Sequence, residues 1–304
     1  MVFQTSHLLI HFRKETYGMT EYHSLQDLQD LSASTEKEIW EIVQLADMEE
    51  SGRTAEQSYQ KMLEMYQAMK EADASYDGSL RSASKRAGGD GQKLQEYNEQ
   101  QKNICGPFVG KIMEKAIKMG ESNACMRRIV AAPTAGSCGI LPAVLLSYAE
   151  DYRTSEEEMV HALYIAAGIG KVIAENAFIA GAAGGCQAEI GSASAMAAAA
   201  LAWLQGGDSE TILNAAALSL KNMLGLTCDP VAGLVEVPCI KRNAYGAVNA
   251  AVSAQLSLSG IHSAISPDDV IDSMRRTGNQ MPACLKETSE GGLAVSDSAA
   301  EYLK

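Results

Sequence analysis

The sequence predicts an all-α fold, and its composition and its helix signals support that prediction. Ala, Leu, Met, Glu and Gln, which favour helices, are abundant, whereas aromatic residues make up only 6% of the 304 residues. The alternation of apolar and polar residues that marks half-buried strands is hard to find. A parallel-sheet enzyme would show strand and helix signals in repeated turn, which this sequence does not. A chain of this length can bury a substantial core, so we expect one large helical domain.

The beginning of the chain differs from the rest. Residues 1–22 show no clear helical period, and Met19 could serve as an alternative initiator. The first 14 residues contain charges and His and lack the apolar run of a secretory leader. We therefore expect residues 1–22 to be a disordered or mis-started leader and the helical domain to span residues 23–304.

Two capping boxes predict the first helices. Thr35 with Glu38, and Thr54 with Gln57, have the spacing at which an N-cap hydroxyl and an N3 side chain satisfy each other's backbone amides. Each pair precedes apolar residues at spacings of three and four, so each predicts the start of an amphipathic helix.

Residues 77–93 predict a loop. They hold four Gly, three Ser and four basic residues with hardly an apolar side chain. Backbone amides of Gly-rich turns, together with cations, can hold a carboxylate. A solvated linker is the alternative interpretation.

The remaining helices are predicted from caps and apolar spacing. The Ala-rich helix among them can pack very closely on its neighbours, which favours a central, buried position. The predicted ranges are 107–119, ending at Gly120; 156–167, after Ser155 with Glu158; 192–204; 209–222, capped by Asp208 or Ser209; 243–258; and 267–276.

Charge and hydropathy restrict the partners. The net charge is −13 and the sequence pI is near 4.9, which argues against nucleic acid or an anionic membrane. The most apolar stretch, residues 190–204, is too short to span a bilayer, which needs about 20 apolar residues. Small molecules and protein are the expected partners.

Three of the seven cysteines lie in unusual stretches. Cys186 lies in GGCQAE, Cys228 in GLTCDP and Cys239 in VEVPCIKRN, each with Gly or Pro within two residues. Such neighbours place a thiol on a turn where a ligand can approach. Three small buried residues are the alternative, because the spacing does not by itself dictate a metal. An odd number of cysteines without a secretory leader indicates a reducing cytoplasm and free or metal-bound thiols.

Four long motifs carry a resemblance to a known family. They are residues 123–144 (NACMRRIVAAPTAGSCGILPAV), GGCQAEIGSASAMAAAA, LGLTCDPVAGLVEVPCIKRNA and LKETSEGGLA. In this order they resemble the α chain of the iron–sulfur L-serine dehydratases, from about residue 24 onward. The resemblance implies deamination of L-serine to pyruvate and ammonia, in amino-acid degradation and gluconeogenesis. It also implies a [4Fe–4S] cluster in place of pyridoxal phosphate.

The resemblance implies the metal ligands Cys186, Cys228 and Cys239. Thiolates are soft ligands that suit iron–sulfur clusters, and three of them leave one iron without a protein ligand. By this reading the open iron acts as a Lewis acid on the serine hydroxyl, while a base removes the α-proton.

The chain departs from the family pattern at one point, and one catalytic role has no candidate residue. Single-chain members carry a further cysteine beyond the Gly-Gly-Leu-Ala motif, whereas residues 295–304 here contain none. We therefore expect water or an exogenous ligand on the fourth iron, with Cys284 as a less favoured substitute. The general base is not identified in this chain. Two-subunit members pair with a β chain, so we expect a heteromer in which the β chain closes the site or supplies the base.

Serine is expected to be held by hydroxyls and amides near the cysteine motifs. A Gly-Ser turn that enters a helix offers free N–H groups to a carboxylate. The charged pair Lys241 and Arg242 would tune the cluster or pair with substrate, although such a pair at a helix start is more often solvated. The predicted substrate-binding residues are Ser82, Ser84, Thr134, Gly136, Ser137 and Lys241.

Three alternatives stay open at this point. The first is an L-cysteine desulfidase-type lyase on the same scaffold. It stays open because pockets discriminate weakly between small related groups of a substrate. A pyridoxal-phosphate dehydratase is suggested by Ser84-Lys85-Arg86-Ala87-Gly88, which faintly resembles a Schiff-base segment, but it needs an α/β scaffold. A non-catalytic zinc protein could use the three thiolates and one further ligand.

Overall fold

The computed structural model describes residues 20–304, and within that range the chain forms α-helices joined by loops and short 3₁₀ turns, with no strand. The all-α prediction is confirmed. In chain order the helices are α1 (Leu25–Thr35), α2 (Ile39–Ser51), α3 (Ala55–Ala74), α4 (Asp90–Glu99), α5 (Pro107–Ala124), α6 (Ile140–Tyr152), α7 (Glu156–Asn176), α8 (Gly181–Gly184), α9 (Ser192–Leu204), α10 (Ser209–Lys221), α11 (Cys239–Leu258), α12 (Pro267–Gln280) and α13 (Asp297–Tyr302).

The predicted leader falls mostly outside the described residues. Residues 1–19 lie beyond the described range, and the leader itself stays a prediction. Tyr22, which the prediction placed inside it, is 2% exposed and belongs to the main hydrophobic core. The ammonium group of Lys171 on α7 lies 5.1 Å from the centroid of its ring. The helical domain therefore already includes Tyr22.

The Ala-rich helix α9 is the centre of the fold. Every residue from Ser192 to Ala202 is buried, and α9 packs against α6, α7, α10 and α11. The buried hydroxyl of Ser194 is paired: it donates to the carbonyl of Gly246, 2.7 Å away, and lies 2.8 Å from the hydroxyl of Ser219. The predicted range and central position of this helix are both confirmed.

Of the two predicted capping boxes at the start of the chain, one is confirmed and one is wrong. Thr54 accepts from the amide of Gln57, and the Gln57 side chain accepts from the amide of Thr54. Thr35 instead ends α1, with its hydroxyl donating to the carbonyl of Leu31. Glu36 adopts a left-handed conformation that ends α1, and Glu38 is the N-cap of α2.

Gly120 was expected to end a helix but lies inside α5. A Cβ at this position would lie 3.3 Å from the Cα of Ile240, so the missing side chain lets α5 and α11 approach closely. Gly in a helix interior costs about 0.5–1 kcal/mol relative to Ala, and this close contact offsets that cost. α11 also begins at Cys239, four residues before the predicted start.

No helix of the described residues is both long enough and apolar enough to cross a membrane.

Candidate metal centre

Cys186, Glu189 and Cys228 converge in the interior of the protein. Their ligand atoms, two sulfurs and a carboxylate oxygen, all lie within 4.8 Å of one another. Cys186 follows α8, Glu189 lies in a π-helical segment, Gln187–Gly191, and Cys228 lies in the loop between α10 and α11. π-Helical turns are rare and are frequently found at functional sites.

Gln187 joins the segment that contains Cys186 and Glu189 to the loop that contains Cys228. Its backbone amide donates to the carbonyl of Leu226, and its side-chain oxygen accepts from the amide of Gly225, both at 2.9 Å. The side chain is fully buried and replaces the hydrogen bonds that the two loop groups would otherwise make with water. Gln187 thereby places Cys186 beside the loop that leads into Cys228.

The LKET stretch supports Cys228 from the other side. The amide of Cys228 donates to the carbonyl of Leu285 at 2.8 Å, and the amide of Glu287 donates to the carbonyl of Cys228 at 2.7 Å. This isolated parallel bridge brings a motif some 60 positions later to the centre. Cys284, which precedes the bridge, is partly exposed.

Cys239 is the third predicted ligand and lies at the N-terminus of α11, where it is buried. Burial raises the pKa of its thiol to about 12, and the negative charges of Cys186 and Glu189 contribute to that increase. Within the described residues, Cys239 is not among the groups whose ligand atoms lie within 4.8 Å of one another, although the charges of Cys186 and Glu189 act on its thiol.

Burial and mutual repulsion disfavour ionisation of all three thiols at once. A hydrogen bond from Cys228, with help from the charge of Arg242, lowers the pKa of Cys186. That same hydrogen bond, together with burial, raises the pKa of Cys228. Since a second and a third thiolate would repel the first, the donor set fits a bound cation that the thiolates ligate.

Glu189 was missed by the sequence analysis, although it is the carboxylate of the GGCQAE stretch. The hydroxyl of Thr134 donates to its Oε1 atom at 2.8 Å. Burial raises the pKa of Glu189, the hydrogen bond from Thr134 lowers it in part, and the charge of Glu287 adds a smaller increase. A carboxylate in this position can ligate a metal, hold an ammonium group or accept a proton.

Gly181 keeps the space beside these groups open. A Cβ built on it would lie 2.7 Å from the sulfur of Cys228 and 2.8 Å from Oε2 of Glu189. Even the smallest side chain would therefore occupy the space between the thiol and the carboxylate, which is where a ligand of both would lie.

The predicted substrate turn lies next to Glu189. Thr134 contacts the carboxylate directly, and a Cβ on Gly136 would lie 3.1 Å from its Oε1 atom. Ser137 is completely buried, and its hydroxyl lies 3.1 Å from the hydroxyl of Thr134 inside the turn. Thr134 and Gly136 thus face the centre, whereas Ser137 stabilises the turn.

Asn243 on α11 fixes this turn relative to Cys239. Its Nδ2 atom donates to the carbonyls of Gly136 at 2.8 Å and Cys239 at 2.9 Å. Its Oδ1 atom accepts from the amide of Gly139 at 2.8 Å. The buried amide therefore joins the substrate turn to the helix that carries the third cysteine.

The other predicted substrate residues lie around the segment that precedes Cys239. The hydroxyl of Ser84 donates to Glu236 at 2.6 Å and lies 3.0 Å from the hydroxyl of buried Ser82. Lys241 has 55% of its side chain exposed and pairs with Asp90 at 2.7 Å. Within the described residues, the hydrogen bonds of these three side chains stay outside the cluster of Cys186, Cys228 and Glu189.

Arg242, the neighbour of Lys241, does reach the cluster. Its side chain is 15% exposed, interacts with the thiol of Cys186 and lies 2.8 Å from Asp229. The interpretation of this charged pair as a solvated helix face therefore holds for Lys241 and is wrong for Arg242. Spacing along the sequence gave no signal for the difference, because both residues lie in the first turn of α11.

Comparisons with known proteins agree over most of the chain. Residues 34–294 match the family described as serine dehydratase alpha chain. A probable L-serine dehydratase, alpha chain, of Bacillus subtilis (strain 168) is 43% identical over 283 residues, 93% of this chain and 94% of that protein. The L-serine dehydratase, alpha chain, of Peptoniphilus asaccharolyticus is 49% identical over 205 residues, 67% of this chain and 70% of that one.

A third relative has a longer chain. L-serine dehydratase 1 of Escherichia coli (strain K12) is 46% identical over 182 residues, which is 59% of this chain and 40% of that protein. The family match covers residues 34–294, and the similarity to the Bacillus subtilis protein covers almost all of both chains. The chain therefore belongs to the serine dehydratase alpha chain family.

Proposed function

We propose that this chain deaminates L-serine to pyruvate and ammonia, using a [4Fe–4S] cluster held by Cys186, Cys228 and Cys239. The observation that carries the proposal is the convergence of Cys186, Cys228 and Glu189 within 4.8 Å. The names of the relatives, which are L-serine dehydratases, support the substrate and the reaction.

The residues present fit such a cluster. Their donor set is made of thiolates, which iron–sulfur clusters prefer, and Gly181 leaves the space beside Cys228 open. When bound, the cluster would supply a Lewis acid that makes the serine hydroxyl a better leaving group. Everything else in the reaction depends on side chains that hold the substrate and move its protons.

We assign the proton transfer from the α-carbon to Glu189. Its Oε1 atom is held by Thr134, and its Oε2 atom faces the Gly181 and Cys228 side of the site. Glu189 would take the α-proton and return it to the departing β-hydroxyl, which leaves as water, and this elimination gives the enamine. The enamine tautomerises to the imine, which water hydrolyses to pyruvate and ammonia. A base from the partner chain is the alternative.

The substrate carboxylate would be held by the turn that contains Thr134, Gly136 and Ser137. Its hydroxyls and amides lie beside Glu189, so a substrate bound there has its α-carbon next to the carboxylate. Ser82 and Ser84 would act from the outer side through the segment that contains Glu236. Lys241 would act from the outer side through its ion pair with Asp90.

We further propose that the active enzyme is a cytoplasmic heteromer with a serine dehydratase β chain. The relatives that match most of this chain are named alpha chains, which implies a second type of subunit. The pyridoxal-phosphate alternative loses support, because the described residues form an all-helical fold without the α/β scaffold that it needs.

The test is chemical analysis of protein purified without oxygen, alone and with a co-expressed β chain. Iron, zinc, acid-labile sulfide and pyruvate formation from L-serine are measured together. We expect about four iron and four sulfide per chain, with both lost in Cys186→Ala, Cys228→Ala and Cys239→Ala. Cys105→Ala, which removes an exposed thiol, is the matched control.

Each component of the proposal has its own contradicting result. Zinc without sulfide would replace the cluster with a structural metal. Sulfide release from L-cysteine faster than pyruvate release from L-serine would change the substrate. Full activity of the isolated chain would remove the β chain from the site.

A further inference from the structure

Arg242 contacts both of the residues that flank Cys228, which are Thr227 and Asp229. One Nη atom of its guanidinium donates to the carbonyl of Thr227 at 2.8 Å, and the other lies 2.8 Å from Oδ1 of Asp229. Since Thr227 and Asp229 directly flank Cys228, one guanidinium holds the cysteine loop on both sides of this thiol. A rigid planar group with five donors is suited to hold several acceptors at fixed positions.

Asp229 extends this link to the C-terminal part of the chain. It is 3% exposed, and its Oδ2 atom accepts from the backbone amide of Leu293 at 2.8 Å. Its Oδ1 atom makes no hydrogen bond of good geometry, so its contact with Arg242 is an ion pair between a buried carboxylate and a guanidinium whose side chain is 15% exposed. A buried carboxylate of this kind depends on its cation, because water cannot replace it.

Gly292 makes the contact with Leu293 possible. It has a left-handed backbone with φ of 60°, and a Cβ on it would lie 2.4 Å from Oδ2 of Asp229. A side chain here would push the carboxylate away from the Leu293 amide. The Gly-Gly-Leu-Ala motif thus has a steric reason for its second Gly.

Two further contacts hold the same segment on the cysteine loop. The bridge of Leu285 and Glu287 to Cys228 fixes its beginning, and the hydroxyl of Ser289 donates to the carbonyl of Pro230 at 2.7 Å. Residues 285–295, which we call the C-terminal clasp, therefore lie along the loop that follows Cys228.

We infer that Arg242 and Asp229 are positioning residues that lock the C-terminal clasp onto the cysteine centre, so that cluster binding and the order of the clasp depend on each other. The chain of contacts runs from the loop of Cys228 through Arg242 and Asp229 to Leu293. Such a coupling is reciprocal: a cluster that orders Cys228 protects the clasp, and a loosened clasp weakens cluster binding. This inference rests on the proposed cluster.

Limited proteolysis and metal analysis of the full chain, with and without cluster, test the coupling. The variants are Arg242→Lys, Asp229→Asn and Gly292→Ala. The last is the sharpest of the three, because it leaves every charge and every thiol in place. Arg276→Lys and Asp272→Asn are the controls, since they alter an exposed ion pair that has the same 2.8 Å separation.

We expect the loaded wild-type clasp to resist cleavage. In the three variants, cleavage within residues 285–304 should become about tenfold faster or more, because the cleavage rate follows the population of the open segment. Iron and sulfide per chain should fall severalfold, because the loosened clasp weakens cluster binding. The controls should behave as wild type in both measurements. Far-UV circular dichroism identifies any variant that has lost its fold.

Wild-type cleavage rates and wild-type iron content in Gly292→Ala and Asp229→Asn would overturn the inference. A wild-type chain that binds no iron and no sulfide would instead overturn the proposed function. In that case the cleavage pattern of the metal-free variants still reports on the contact between Asp229 and the clasp, so the two failures are distinguishable.

Discussion

The hydroxyl of Thr134 donates a hydrogen bond of 2.8 Å to the carboxylate of Glu189, which lies 55 positions later in the sequence. This contact joins the predicted substrate turn to the group that we assign as the base.

Thr134→Ala should raise the Michaelis constant for L-serine by about tenfold, because it removes a hydroxyl that bonds a charged group and lines the substrate turn. Iron and sulfide content should not change, since Thr134 is not one of the proposed cluster ligands. Thr134→Ser keeps the hydroxyl and serves as the control. Steady-state kinetics beside metal analysis give the answer, and an unchanged Michaelis constant would remove Thr134 from the substrate site.

Glu189→Gln should lower kcat by about 10²- to 10⁴-fold, the usual contribution of general acid–base catalysis. The amide keeps the size of the side chain and can still accept from Thr134, so we expect iron and sulfide to be retained. A variant that loses its iron instead would make Glu189 a metal ligand. A variant with unchanged kcat would leave the base to the partner chain.

The stability of the chain should depend on His161 below neutral pH. Its ring stacks on Trp40 with centroids 3.6 Å apart, and burial lowers its pKa despite nearby carboxylates. The unfolded chain therefore binds a proton more readily, and the free energy of unfolding should fall as pH drops below the ordinary pKa of 6.5. Denaturant unfolding between pH 5 and pH 7.5, compared with His161→Phe, measures this contribution, and equal slopes in both proteins would contradict it.

Thr54→Ala should destabilise the chain by about 0.5–2 kcal/mol, because it removes the N-cap of α3. Thr35→Ala should cost clearly less, since that hydroxyl only bonds back to Leu31 within its own helix. Denaturant unfolding of both variants compares the capping box that the structure contains with the one that it does not. Equal losses would contradict the assignment of Glu38 as the cap of α2.

Local chemistry explains what the sequence predicted well. The caps at Thr54, Ser155 and Asp208 depend on residues within three positions of one another, and all three are present in the structure. The range of α9 follows from a continuous run of small apolar residues. The turn that contains Thr134 and Gly136 was also recognised, because Gly and Ser mark it directly.

Long-range contacts explain what was missed. Glycine is common at helix ends, which is why Gly120 was predicted to end a helix. Only the position of Ile240 shows that Gly120 instead lets α5 and α11 pack closely. Arg242 and Lys241 are neighbours with the same charge, and only the fold separates the one that reaches Cys186 from the one that pairs with Asp90. Glu189 could have been suspected from its place in GGCQAE, but its contact with Thr134 could not.

The first turns of α11 carry three of the residues described above. Cys239, Arg242 and Asn243 lie at positions i, i+3 and i+4 of one helix and therefore on one side of it. Cys239 is a proposed cluster ligand, Arg242 holds Asp229, which bonds the C-terminal clasp, and Asn243 bonds the predicted substrate turn. A small slide or rotation of α11 would displace all three at once and in the same sense. The positions of these three side chains therefore change together, because one rigid helix fixes their spacing.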